Sequence, residues 1–157
     1  MKMKKLLAIL LMVATLIGIV SAPSFAEDFS GYSVTYIANE GIAPCLNNGT
    51  SSRATFSISS TGVASLNNSY TGIPGVTTKV KSNMYIQKKT LGVFWTKVDI
   101  GTSDNEWNDT STTVNGTFRH TFQLTSKGTY RALFTLTFIG TGGSDDKVSE
   151  KIVDEYT

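Results

Sequence analysis

The chain has 157 residues, with 14 Lys and Arg against 12 Asp and Glu, one His and one Cys. That inventory is too poor in His and Cys for a zinc centre, and one cysteine cannot close an intrachain bridge. Without Lys2, Lys4 and Lys5, eleven basic residues face twelve acidic ones, a net charge of minus one; the basic pI of the whole chain is therefore no sign of nucleic-acid binding, which needs a clustered basic face on the folded domain.

Those three lysines precede an apolar run over residues 6–20, then Ser21, Ala22, Pro23 and the small-residue pattern Ser24, Phe25, Ala26. This is the layout of a secretory signal peptide, with cleavage expected after Ala26. The apolar run is shorter than the roughly 18 to 20 residues of a spanning helix. No cysteine stands at the cleavage point to take a lipid and no second apolar run closes the chain. The expected product is one domain, residues 27–157, secreted to the extracellular side without a stable membrane anchor. It is long enough for a core that needs no staples.

No apolar 3.6 period lasts ten residues, and the aromatics fall in short alternating runs among Thr, Ser, Gly and Asn, so the domain reads as all-β. Residues 32–37 form the first predicted strand, and residues 38–50, with Gly41, Pro44, Cys45, Asn47, Asn48 and Gly49, a loop. Residues 53–59 bury Ala54, Phe56 and Ile58; Gly62 marks a bend, and residues 63–66 continue the strand. Residues 67–75 read as a second loop. From Val76 the alternation turns Val76, Val80, Met84 and Ile86 inward and Thr77, Lys79, Lys81, Tyr85, Gln87 and Lys89 outward. A returning strand over residues 93–100 puts Phe94, Val98 and Ile100 on one face and Trp95, Lys97 and Asp99 on the other. Residues 101–115 read as a surface connection with Trp107 alone in it.

Phe118, His120, Phe122 and Leu124 alternate next, followed after Thr125, Ser126, Lys127 and Gly128 by Tyr130, Ala132, Phe134, Leu136 and Phe138. The second run should be a central strand, and the pair reads as a hairpin. A Gly-rich turn over residues 140–144 and a last strand with Val148 and Ile152 inward complete the domain. About seven or eight strands of this kind predict an immunoglobulin-like antiparallel β-sandwich, with a small barrel as the alternative. The run from Ser126 through Tyr130 to Ala132 resembles the tyrosine corner of that fold, although Ala132 stands where an antibody domain carries its second cysteine.

Tyr85, Ile86, Gln87, Lys88 and Lys89, then Trp95 with Val98, then Gly128, Thr129, Tyr130 and Arg131, together resemble a family of small exported β-sandwich proteins of Gram-positive bacteria with no assigned function. The resemblance spans roughly residues 53–150. It implies export and a sandwich, and carries over no functional residues.

Chemistry-bearing residues are sparse. A Ser/His/Asp hydrolase would need His120, which falls on an inward face between two phenylalanines. Cys45 has no basic sequence neighbour to lower its pKa. Asp99, Asp104, Glu106 and Asp109 cluster as a carboxylate pair or calcium site would, without the spacing of a helix-loop-helix calcium loop. The Gly140 to Gly143 turn is not followed by the Lys and Ser or Thr of a phosphate loop. Asn48, Asn67, Asn108 and Asn115 open glycosylation triplets and read as exposed turns. No catalytic residue, cofactor or metal site is assigned.

The most informative surface is the outward face of residues 77–97. No acidic residue lies between Glu40 and Asp99, while Lys79, Lys81, Lys88, Lys89 and Lys97 gather with Tyr85 and Trp95. Lysines on an exposed edge also keep strands from pairing with neighbours, a sufficient structural account. Lys79, Lys81, Tyr85, Lys89, Trp95 and Lys97 are the candidate binding residues for an anionic partner such as a cell-wall polymer or glycan. The expected role is a non-catalytic extracellular binding module. A membrane-active, toxin-like protein and a small extracellular hydrolase are the alternatives, and Cys45 is either free or the link of a dimer.

Overall fold

The alternation of apolar and polar residues is realised as nine strands in a computed structural model that describes residues 33–37 and 46–157. The export signal and Cys45 lie outside the described residues. The first sheet has the order β1(Ser33–Ile37), β2(Gly49–Ile58), β3(Val63–Gly72), β7(Asn115–Gln123). The second has the order β5(Phe94–Lys97), β4(Thr77–Thr90), β8(Gly128–Gly140), β9(Asp146–Tyr156), with β6(Trp107–Ser111) also paired to β4. Every pairing is antiparallel. The fold is an all-β sandwich. Among the described residues no helix is long and apolar enough to cross a membrane.

The two sheets close on two apolar clusters, with half-buried Phe118 packed against both. Ala54, Phe56, Ala64 and Leu66 from the first meet Met84, Ile86, Tyr130, Ala132, Phe134 and Ile152 from the second. Tyr70, Val80, Leu136, Phe138 and Val148 extend the core toward the other end. All five predicted inward residues of β8 are buried, and β8 lies between β4 and β9, so it is a central strand. Two carboxylates of β9 fasten the open edge to β2. Asp146 accepts from the backbone N–H groups of Asn47 (2.9 Å), Asn48 (2.5 Å) and Gly49 (3.1 Å), and Asp154 accepts from that of Ile58 (2.6 Å).

The expected hairpin of β7 and β8 is not formed. β7 pairs with β3 and β8 with β4 and β9, so residues 124–127 carry the chain from one sheet to the other. A hairpin would lay both apolar faces side by side in one sheet, whereas the crossing sets them on opposite walls of one core. The Tyr130 hydroxyl donates to the Ser126 carbonyl at 2.6 Å, which fastens this turn as the corner motif requires. Leu124 N–H, bonded to the Gly62 carbonyl at 2.9 Å, ties the other side.

Five local expectations are corrected. Residues 67–72 are strand, not loop, because both asparagine amides are satisfied there: Asn67 donates to Thr55 Oγ1 on the adjacent strand (3.1 Å) and buried Asn68 across the core to Ser82 Oγ (3.3 Å). Thr77 is buried rather than outward, since the register shifts between Thr77 and Lys79 and its hydroxyl is held between the Asn48 carbonyl and the Ile73 N–H. Residues 107–111 form a strand within the expected connection, and residues 63–66, expected to continue the preceding strand past a bend, instead turn back at Gly62 into β3, antiparallel to β2; these two additions make nine strands where seven or eight were expected. Asn48 is fully buried, donating to the Ser144 carbonyl (2.8 Å) and accepting from Gly142 N–H (3.0 Å), so it marks no exposed turn.

Candidate functional site

Because successive residues of a strand point to opposite faces, the register of the second sheet decides what its outer surface presents. Lys79, Lys81, Tyr85 and Lys89 share the outward parity of β4. β5 pairs Lys97 with Gln87 and Trp95 with Lys89, which brings all six candidate binding residues onto this surface.

Partner strands widen it. Lys81 lies between Thr110 and Thr137, with Lys147 beyond; Asn83 lies between Asn108 and Thr135. Tyr85 pairs with Leu133 and Leu133 with Lys151, and Gln87 pairs with Arg131 and Arg131 with Val153. An open groove of about 440 Å³ runs between Lys81, Asn83, Thr110, Thr135, Thr137 and Lys147. Arg131, Lys147 and Lys151 were not among the residues singled out from sequence. The outward parity of Arg131 was legible, but only the pairing of β4 with β8 and of β8 with β9 places these three beside the β4 lysines.

The aromatics organise the cations. Arg131 lies with its guanidinium 4.2 Å from the Trp95 ring centroid and donates through Nε to Gln87 Oε1 at 2.7 Å. Lys89 approaches the same indole from 5.9 Å, and Lys97 stands 4.7 Å from the Tyr85 ring. Lys97 is also the cation whose charge is already answered. It forms an ion pair with Glu106, which raises the Lys97 pKa above its ordinary value. The same contact, helped by the Asn83 amide, holds the Glu106 carboxyl below the usual range. Lys79, Lys81 and Lys89 are exposed.

The remaining candidates are separated. Asp99 accepts from Gly101 N–H (3.0 Å), Asp104 from Glu106 N–H (3.2 Å) and the Asn108 amide (3.2 Å), and Asp109 meets His120. Each carboxylate thus has its own partner, and among the described residues no group of His, Cys, Asp and Glu is placed to hold a metal ion. His120 is half-buried at the rim of β7, its Nε2 2.8 Å from Asp109 Oδ2 and its ring stacked 4.9 Å from that of Trp107. The imidazole is thus held between one carboxylate and one indole. Phe94, expected beside Val98, is instead exposed near a hairpin turn.

Comparison with known protein families, with curated proteins and with solved structures finds no match.

Proposed function

We propose that the protein is a secreted, non-catalytic binding module whose second-sheet outer face takes an anionic polymer of the cell envelope or surroundings, either a phosphate-linked wall polymer or an acidic glycan. The observation that carries this reading is the convergence of Lys79, Lys81, Lys89, Arg131, Lys147 and Lys151 with Tyr85 and Trp95 on one solvent-facing sheet surface. An extended polyanion repeats its charges along one direction, as the lysine rows of this sheet do. Aromatic rings beside the cations suit the sugar units between charges. Export, the resemblance to small exported Gram-positive proteins and the immunoglobulin-like assignment belong to the same proposal, the last supported by the Tyr130 corner at the crossing from β7 to β8.

The test is a pull-down with purified cell walls and with an acidic glycan, each at low and physiological ionic strength. Binding should weaken steeply with salt, since exposed charges are screened over about 8 to 10 Å at physiological strength. Lys79→Gln, Lys81→Gln and Lys89→Gln combined should reduce binding to whichever polymer is taken without lowering thermal stability. Equal binding by the triple variant and the parent would remove the proposal. Intact mass of the exported protein should begin at Glu27, and gel mobility with and without reductant reads out a Cys45-linked dimer.

A further inference from the structure

The hairpin of β4 and β5 ends in a surface that the polymer reading does not use. Pairing of β4 with β8 stops at Lys88 opposite Tyr130. The last two rungs, Lys89 with Trp95 and Thr90 with Phe94, are therefore paired only to each other, and the tip projects past the sandwich. At that tip Leu91 is 90% exposed, Val93 66% and Phe94 63%, and they are the large apolar side chains most open to solvent among the described residues.

The turn itself is built against local preference. Val93 N–H bonds the Thr90 carbonyl at 3.2 Å, and both central residues have positive φ, 50° at Leu91 and 73° at Gly92. Hairpins favour such a turn, but with Asn, Asp or Gly at its first central position; a bulky residue in this region is an outlier. A leucine that is strained and also almost wholly in water gains nothing for the fold from where it sits. Such outliers concentrate at functional sites.

Cations surround the apolar residues. Lys88 and Lys89 precede the turn, Lys127 is exposed in the neighbouring corner, to which Lys88 is tied through Ser126 Oγ at 2.6 Å, and Arg131 and Lys89 flank Trp95. Residues 41–98 contain no acidic side chain. Apolar side chains in front and a basic collar behind match the two layers of an anionic lipid surface, acyl chains inside and negative headgroups outside.

We infer that Leu91, Val93 and Phe94 form an insertion tip that seats the protein reversibly on a membrane surface bearing anionic lipids. This goes beyond the polymer reading: it shares Lys89, Arg131 and Trp95 with that face but rests on the exposed apolar tip, which the polymer reading does not use.

The experiment is co-sedimentation of the full chain with vesicles of phosphatidylglycerol and phosphatidylcholine in equal parts, and with phosphatidylcholine alone. Quenching of Trp95 by brominated acyl chains serves as the depth readout. The parent should bind the anionic vesicles, bind the neutral ones at least about tenfold more weakly, and show quenching. Phe94→Ser should weaken binding about tenfold and abolish quenching. Leu91→Asn should do the same while holding or raising thermal stability, since Asn suits the turn; that pairing of effects separates a functional leucine from a structural one. Both variants should keep the parent's binding to cell walls and acidic glycan, so failure of the tip shows in the vesicle assay alone, whereas Lys79→Gln with Lys81→Gln, which leaves the collar intact, should reduce polymer binding and keep vesicle binding. Vesicle binding that survives both tip substitutions, absence of binding to anionic vesicles at low salt, or tip-dependent self-association in sedimentation without lipid would overturn the inference.

Discussion

The two outer faces of the sandwich start from the same rule and end with different surfaces. On the first sheet the outward residues are short and hydroxylated or amidic: Ser65, Asn67, Ser69 and Thr71 on β3, Thr55 and Ser57 on β2, Thr117 and Thr121 on β7, with Arg53 and Arg119 among them. Several answer one another directly, Asn67 donating to Thr55 Oγ1, Ser69 meeting Thr117 at 2.9 Å, and Thr50 donating to the Thr71 carbonyl at 3.0 Å. On the second sheet Asn83, Thr135, Thr137 and Ser149 are likewise outward, but long cations and two aromatics stand among them, and those cations, Lys97 apart, have no carboxylate bridged to them among the described residues. Both faces leave the fold equally satisfied, because period-two alternation constrains only the inward half of each strand. The difference must then be sought in what the faces meet. A surface whose hydroxyls and amides answer one another offers a partner few open groups, whereas a surface of cations without bridged carboxylates, set over rings, is suited to a partner that brings the negative charge.

The largest effect should come from beneath both faces, where the comparison predicts equality. Phe56→Ala under the first sheet and Phe134→Ala under the second, each about fully buried, should each cost about 3 to 5 kcal/mol in urea unfolding. Thr135→Ala, one residue away and outward, should cost well under about 1 kcal/mol. A cost for Thr135→Ala equal to that of Phe134→Ala would mean that the inward register of β8 is wrong. Removing the carboxylate that joins the sheets at their edge, Asp146→Ala, should cost about 3 kcal/mol, since three backbone N–H groups lose their acceptor and a charge-assisted set is worth more than neutral bonds.

The corner between the faces ranks next. Tyr130→Phe keeps the ring in the core and deletes the hydroxyl's contacts with Ser126, the bond to its carbonyl at 2.6 Å and the longer one to its Oγ at 3.4 Å. The expected loss is about 1 kcal/mol. A loss near zero would show that the turn is held by Leu124 and Gly62 alone, and a loss of several kcal/mol would show that the hydroxyl orders the whole crossing.

How much of this was legible in the sequence follows from what a strand pattern encodes. The parity of β8 and of β4 beyond its bulge was readable, because Phe134, Leu136, Phe138, Met84 and Ile86 repeat every second position over a long run. Pairing was not readable. The spacing of Phe122 and Tyr130 fits a hairpin and a corner equally well, and only the need to place both apolar faces against a shared interior selects the corner. Asn68 and Thr77 hid strand for a related reason: a polar residue on an inward face is admissible when a distant part of the chain supplies its hydrogen bond, Ser82 for Asn68 and the Asn48 carbonyl for Thr77. The candidate face was half legible, its β4 and β5 lysines from charge and parity, its Arg131, Lys147 and Lys151 only from register. The tip shows the opposite failure: Phe94 read as a strand residue on the face of Val98 until β5 proved to be only four residues long and open to solvent, and Leu91, outside both predicted strands, gave no signal.

The smallest expected effect concerns the one carboxylate that faces inward near the β9 edge without a partner. Glu150 Oε1 is enclosed and has no hydrogen bond among the described residues, and burial raises its pKa from 4.5 to about 7. With the folded-state value above the unfolded one, the folded protein keeps a proton that the unfolded chain has already released. The contribution is thus fully present below about pH 4.5 and is lost as pH rises toward about 7. Glu150→Gln should remove this slope, so that the variant gains on the parent as pH rises through that window. The gain should be modest, because the residue as a whole is only half-buried and water screens part of the cost. Thermal melts of both proteins at about pH 5 and about pH 8 decide it, using the difference between them because the remaining carboxylates titrate alike in each. A difference that is constant with pH would place Glu150 as an ordinary solvated carboxylate and make β9 as neutral toward acidity as the hydroxyl face opposite.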